Sequence, residues 1–214
     1  MNKIISFFGI ERGDFVYYLA VTLMKNNYSV AVLDNSRNKD IFNAVSNFYD
    51  TDLVIKQDIA YYKNTFIPQS ETSNFDFVLV WQGLNYNHDI MKRSDLVYVL
   101  PDYTPGCIHD FNDRVEDKSL IDGVILRDYV DCRKVTDESI FDMLGLPKDD
   151  KFIGNIEFDK EDYEDYISFA YEGRQRFSNI TANFIHVLEY MITQIADVDE
   201  KTAQDYVKRG KNVK

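Results

Sequence analysis

The chain has 214 residues, 45% of them hydrophobic and 28% charged, an ordinary globular composition for one domain that buries roughly 70% of its unfolded surface. Its formal charge is −12, from 36 acidic against 24 basic residues. That balance weighs against nucleic acid and against anionic membrane surfaces, both of which are held by clustered Lys and Arg. No apolar run approaches the roughly 20 residues of a membrane-spanning helix, so no direct membrane insertion is expected. Fifteen Tyr and fifteen Phe suit a large core, and Tyr is also frequent at protein interfaces. Cys107 and Cys132 make no close-spaced metal motif. The opening run Lys3-Ile4-Ile5-Ser6-Phe7-Phe8 is too short for a signal, so a cytoplasmic protein with reduced thiols is expected.

In chain order, Ile4 to Phe8 reads as a buried strand ended by Gly9, and Phe15 to Lys25 as a helix. Ser29 to Leu33 is a second strand ending at Asp34. Lys39 to Phe48 is a second helix, and Asp52 to Ile55 a short strand. Phe75 to Trp81 and Asp95 to Leu100 are apolar strands, the second stopped by Pro101. A helix from Gly106 to Asp117, a strand from Ile121 to Leu126, a short helix from Ser139 to Leu144 and a strand from Lys151 to Ile156 follow. Helices over Asp159 to Glu172 and Thr181 to Ala196 complete the pattern. Nearly all-apolar strands alternating with helices predict an α/β fold, a mostly parallel sheet of roughly six to eight strands with helices on both faces. The expected organisation is one domain over residues 1–198 and a polar, basic tail over 199–214 that frays from Lys208. Ligands of such sheets bind beyond the carboxyl ends of the strands, which here means the loops starting at Gly9, Asp34, Trp81, Pro101 and Arg127.

The order of these segments resembles the ParA/MinD family of deviant Walker P-loop ATPases. The family has K-G-G-x-G-K-T-T after strand one, then a helix and a strand ending in Asp. Aligned without a gap, this chain reads Phe7-Phe8-Gly9-Ile10-Glu11-Arg12-Gly13-Asp14, then a helix with Leu19-Ala20 at the family's Leu-Ala pair, then Val30-Ala31-Val32-Leu33-Asp34. Phe75-Asp76-Phe77-Val78-Leu79-Val80 is similar to the strand before the family's second metal-site Asp. Ser94-Asp95-Leu96-Val97-Tyr98-Val99 and Gly123-Val124-Ile125-Leu126 look like two further family strands. Ile153-Gly154-Asn155-Ile156 and Tyr171-Glu172-Gly173 are similar to its late G-x-I-P strand and glycine-ended helix. The resemblance runs from about Asn2 to about Ile195 and implies a P-loop NTPase fold.

It also implies which positions should carry chemistry, and there the chain departs. A P-loop wraps phosphate in backbone N–H groups, neutralises it with Lys and holds Mg²⁺ through a Ser or Thr hydroxyl. Only Gly9 of the early loop glycines aligns. The phosphate Lys is Arg12, the hydroxyl position is Gly13, and the signature Lys is Phe7. A shifted register would put Asp14 at the Lys, which would repel phosphate. The second metal-site Asp is Trp81, the activating Asp after Asp34 is Ser36, and the base-contacting Asn is Arg127. Of the acidic positions Asp34 alone persists. The expectation is therefore a degenerate site at Gly9, Arg12, Gly13, Asp34, Ser36, Trp81 and Arg127, with no catalytic residue, no metal and no ATP or Mg²⁺ cofactor. Trp81 is expected to fill the space a nucleotide would use. Arg12 could hold a phosphate, though a solvated loop charge is the more ordinary outcome, and Asp34 reads as a turn or helix-capping residue.

Other constellations are weaker. His88, His109 and His186 lie on separate segments without ligand spacing. The acidic run Glu157, Asp159, Glu161, Asp162, Glu164 and Asp165 reads as a solvated helix face. No G-x-S-x-G or G-x-G-x-x-G motif appears. The functional expectation is a non-catalytic ParA/MinD-like adaptor or positioning protein whose partners are other proteins, with a second copy in a homodimer as one option. The expected interface lies on the strand-end loops and includes Arg12, Arg37, Trp81 and Tyr86. Two alternatives stand beside it: an ATP-binding or weakly active switch with an atypical P-loop, and a Rossmann-like enzyme with another small ligand.

Overall fold

The computed structural model describes residues 2–63, 73–102, 104–173, 177 and 180–211. Their strands are β1 (Lys3–Gly9), β2 (Val30–Asp34), β3 (Leu53–Lys56), β4 (Ile59–Lys63), β5 (Phe77–Gly83), β6 (Leu96–Leu100), β7 (Gly123–Tyr129) and β8 (Phe152–Glu157). They form one sheet in the order β3-β4-β2-β5-β1-β6-β7-β8. Every neighbouring pair is parallel except β3 with β4. All residues of β2 and β5 are buried, as strands covered on both faces must be.

The helices are α1 (Asp14–Lys25), α2 (Asp40–Ser46), α3 (His88–Arg93), α4 (Pro105–Arg114), α5 (Asp137–Leu144), α6 (Lys148–Lys151), α7 (Lys160–Glu172), α8 (Ala182–Ala196) and α9 (Glu200–Lys211). One face of the sheet is covered by α1, α2, α7, α8 and α9, whose apolar residues join Ile5, Phe7, Val32, Leu79 and Trp81 in the main core. The other face packs Phe8, Val97, Val99, Val124 and Leu126 against α3, α4 and α5. Helix α1 lies between the sheet and the pair α8 and α9, so even its Thr22 is buried.

The parallel α/β architecture follows the alternation in the sequence; besides the unexpected single turn α6 before β8, there are three differences. Strand β4 follows β3 after a tight turn at Gln57 and Asp58, both at positive φ. Its sequence Ile-Ala-Tyr-Tyr-Lys is too short and too close to its neighbour to stand out as a separate apolar run. Helix α3 is a six-residue turn of helix held by the Asn87 side chain, which accepts from the N–H of Asp89 and Ile90. The third difference corrects the expectation of fraying over residues 208–211; its remaining part, residues 212–214, lies outside the described residues. Residues 208–211 end α9, which buries Ala203, Val207 and Gly210 at helical spacing. A Cβ on Gly210 would stand 2.8 Å from Thr22 Oγ1. The Asn26 side-chain amide donates to Tyr206 O at 3.1 Å, and Arg209 donates to Asn26 Oδ1 at 3.2 Å. Glu200, Lys201, Asp205, Lys208, Arg209 and Lys211 make the segment polar on average, which gives this helix the look of a tail.

Candidate functional site

Consecutive parallel strands deliver their following loops to one edge of the sheet. The loop from Gly9 to Gly13 leaves β1 near the sheet centre. Gly9 has φ +139, and a Cβ there would lie 1.9 Å from Leu100 O, so the loop passes directly against the end of β6. Three of its amides are already bonded inside the protein. Ile10 N–H donates to Leu100 O at 3.0 Å, Arg12 N–H to Ile10 O at 2.8 Å, and Gly13 N–H to Asp40 Oδ2 at 2.5 Å. Phe15 N–H donates to Asp14 Oδ1 at 2.9 Å.

Asp40, at the start of α2, joins this loop to β5. Its Oδ1 accepts from the Trp81 indole N–H at 3.0 Å. Ser36 Oγ spans Asp34 Oδ1 at 2.5 Å and Asp40 Oδ1 at 3.3 Å. Burial first and Asp34 second push Asp40 up to about 7, against the bonds from Gly13 and Trp81 that favour its ionised form. Burial likewise pushes Asp34 up, opposed by its bonds from Ser36 and Phe42. Asp34 is the strand-end turn residue expected, since it accepts from Ser36 N–H at 3.0 Å; the N-cap position of α2 is Lys39, and Asp34 reaches that helix from outside by accepting from Phe42 N–H at 2.9 Å. Trp81 is fully buried near the carboxyl end of a central strand. A Cβ on Gly13 would fall 2.5 Å from Ile41 Cγ1 and 3.0 Å from Trp81 Nε1.

On the other side of the loop lies a buried ion cluster. Arg12 reaches Asp14 at 2.9 Å, Asp128 at 2.9 Å and Asp162 at 2.8 Å. Arg127 reaches Asp14 at 2.7 Å and Asp162 at 3.0 Å. The Arg12 guanidinium also lies 4.9 Å from the ring centre of Tyr166 and 5.2 Å from that of Tyr163, and Arg127 lies 4.9 Å from that of Phe184. Burial opposes the charge on Arg12, but Asp14, Asp128 and Asp162 together outweigh it and push the group up. Burial, then Asp14, push Asp162 up to about 6, with Arg127 and Arg12 pulling the other way. Asp128 is aimed into the cluster by a break in register between Arg127 and Tyr129, where it adopts φ +54.

This architecture has solved counterparts. A chain of the MinC:MinD cell division protein complex of Aquifex aeolicus superposes with a TM-score of 0.64 at 14% identity, covering 89% of this chain and 95% of that one. The fold is that of the ParA/MinD ATPases. A putative plasmid partition protein of Borrelia burgdorferi, solved with AMPPNP, gives 0.59 at 14% identity over 91% of this chain and all of its own. A ParA family ATPase of Chlorobium tepidum gives 0.55 at 13% identity over 97% and 99%. No protein-family model matches the sequence, and no curated protein matches it significantly.

On the ParA/MinD plan, the residues singled out in the sequence do converge. Gly9, Arg12 and Gly13 share one loop with Asp34, Ser36 and Trp81 on one side and Arg127 on the other. Their environment corrects two expectations. Arg12 is 4% exposed and Trp81 is 0% exposed, so neither is a solvated loop charge or a surface contact. Of the expected interface residues only Arg37 is exposed, while Tyr86 is half-buried, stacked on Phe8 at 5.8 Å and edge-on to Phe111 at 5.9 Å. The acidic run is not uniformly solvated either, because Asp162 is buried. It shares helical spacing with Tyr166 and Phe169, and that periodicity was a usable signal for an inward carboxylate. Asp40 and Asp128 carried none: one is an ordinary first-turn acid, the other depends on a bulge.

Proposed function

We propose that the chain is a non-catalytic relative of the ParA/MinD ATPases that acts through contact with other proteins. The observation that carries this reading is that the phosphate loop is filled by the protein's own groups. Phosphate is held by free backbone N–H groups and an available cation. Here the N–H of Gly13 is taken by Asp40, and the cation at the Lys position, Arg12, is spent on three carboxylates. Magnesium chemistry fares no better. Gly13 offers no hydroxyl, Ile41 and the Trp81 ring leave no room for one, and Trp81 stands where the family's metal-site Asp would be. The residues present therefore do not fit Mg-ATP.

The cell-division and plasmid-partition proteins that share the fold support a role in positioning or assembly, with the chain as an adaptor. The test is nucleotide binding and turnover. Titration of ATP or ADP with magnesium leaves the emission of Trp81, the one tryptophan of the chain, unchanged, and phosphate release stays at background. Saturable micromolar binding, or turnover abolished by Arg12→Ala, overturns the reading in favour of an active or nucleotide-gated switch.

A further inference from the structure

Strand β3 ends the sheet, and among the described residues no strand pairs with its outer side. An uncovered edge presents backbone N–H and C=O groups to any strand that matches them. Which groups point outward follows from the hairpin. The two-residue turn Gln57–Asp58 makes Lys56 and Ile59 a hydrogen-bonded pair, and bonded and non-bonded pairs alternate along an antiparallel ladder. Val54 with Tyr61 is then a bonded pair, and Asp52 C=O accepts from Lys63 N–H at 3.0 Å. Leu53 and Ile55 therefore turn their N–H and C=O to the free edge. At Leu53 the Thr51 hydroxyl meets them, donating to the C=O at 3.0 Å and accepting from the N–H at 3.4 Å. At Ile55 none of the described residues does. The side chains are open as well. Leu53 and Ile55 are 43% and 72% exposed, and Phe48 and Tyr49, just before the strand, 66% and 73%. Natural edges are guarded by a charge, a proline or a bulge, and Leu53-Val54-Ile55 carries none of these.

We propose that β3 is a self-pairing edge, at which two copies of the chain join antiparallel about a twofold axis at Val54 and merge their sheets into one. The sequence is complementary to itself about that residue. With Val54 opposite Val54 of the second copy, Leu53 meets Ile55, and these are the residues whose backbone groups face outward. Both pairs close as bonded pairs around a non-bonded centre, as an antiparallel ladder requires. Leu53 and Ile55 meet on one face of the sheet, and on the other Asp52 comes opposite Lys56 twice. Lys56 is already tethered there, its Nζ donating to Gly173 O at 2.8 Å. A register one residue away sets outward groups against inward ones and Leu53 against Lys56, and a register two away sets Val54 against a charge. The contact uses one surface twice, as a twofold interface does. It is short, and two chains of charge −12 repel, so the dimer is weak and concentration-dependent. It lies away from the loops after β1, β2 and β5 and does not depend on the non-catalytic reading.

The test is sedimentation velocity without nucleotide, from low micromolar to about millimolar protein. The wild type passes from monomer to dimer. Ile55→Pro removes an outward N–H and no bond to β4, and Asp52→Lys sets Lys against Lys56. Each weakens the dimer by about tenfold or more, while Asp52→Glu does not. Trp81 emission checks that every variant is folded. Val54→Cys, in a chain with Cys107 and Cys132 changed to Ser, gives a covalent dimer with diamide, because a non-bonded pair holds its Cα atoms about 4.5 Å apart. Thr51→Cys in the same background does not. A wild type that stays monomeric throughout overturns the proposal, as does a dimer that Ile55→Pro and Asp52→Lys both leave intact. So does a dimer dispersed by Arg37→Glu alone, which assigns association to the strand-end loops, or cross-linking through Thr51→Cys and not Val54→Cys. Phosphate release from ATP would end the non-catalytic reading and leave the edge pairing standing. Absence of a dimer together with absence of nucleotide binding would do the reverse.

Discussion

Replacing Arg12 with Met keeps most of the side-chain volume between Tyr163 and Tyr166 and removes the charge. In the native protein that charge faces Asp14, Asp128 and Asp162 at 2.8 to 2.9 Å, and the side chain is 5% exposed. Without it Arg127 is left to neutralise Asp14 and Asp162 by itself, and Asp128 keeps only a 3.4 Å approach to Arg127. Removing one member of a buried ion pair costs about 3–5 kcal/mol, because the abandoned charge is out of water. For a domain of this size that corresponds to a fall in Tm of roughly 6–20 °C. Urea unfolding followed by Trp81 emission measures it at constant m. The loss shrinks in acid. Asp162 is already held up near 6 by burial and by Asp14, and loss of a cation raises it further. The folded variant therefore takes up a proton that the unfolded chain does not, and it regains stability as pH falls from about 7 toward about 5. A loss below about 1 kcal/mol, the range of ordinary surface substitutions, or a loss that does not vary with pH, refutes the buried-cluster argument.

Gly13→Thr, which restores the family's hydroxyl, lowers stability by about 1–3 kcal/mol through collision with Ile41 and Trp81; an open loop would accept it without cost, and the urea midpoint decides. Asp40 titrates near 7 in the folded chain because of burial and Asp34, so its protonation favours the native state as pH falls through 7, and stability is lost as pH rises through that point. The Asp40→Asn chain lacks the part of the pH slope, and of the Trp81 emission change, centred there.

The fold was legible in the sequence because it rests on long-range repetition of one pattern. Apolar runs such as Val30 to Leu33 and Phe77 to Val80 have no solvated face, and only a parallel sheet covered on both sides accommodates several of them. The positions of the site were legible for the same reason, since strand ends place Gly9, Asp34, Trp81 and Arg127 on one edge. What those side chains do there was not. Arg12 looks like a surface charge until Asp128 and Asp162, 116 and 150 residues away, are brought to it, and no local pattern encodes that meeting. The burial of Trp81 at a strand end is what a large apolar ring after an all-apolar run predicts, whereas its bond to Asp40 needed the tertiary structure. The C-terminal helix reads as a polar tail because half of its residues are charged, although Ala203, Tyr206, Val207 and Gly210 fall at the i, i+3, i+4 and i+7 spacing of an inward face.

The same long separations impose an order on synthesis. At roughly 5–20 residues per second, the chain that carries Arg12 leaves the ribosome many seconds before Asp128 and Asp162 exist. Until then Asp14 is the only carboxylate of the cluster at hand, and β1 lacks its neighbour β5 until residue 83 has emerged and its neighbour β6 until residue 100 has. The loop after β1 is thus among the first segments made and among the last to reach its native contacts. An amino-terminal fragment of this protein would carry an arginine with nowhere to go, and the closing helices, not the opening strand, complete the centre of the molecule.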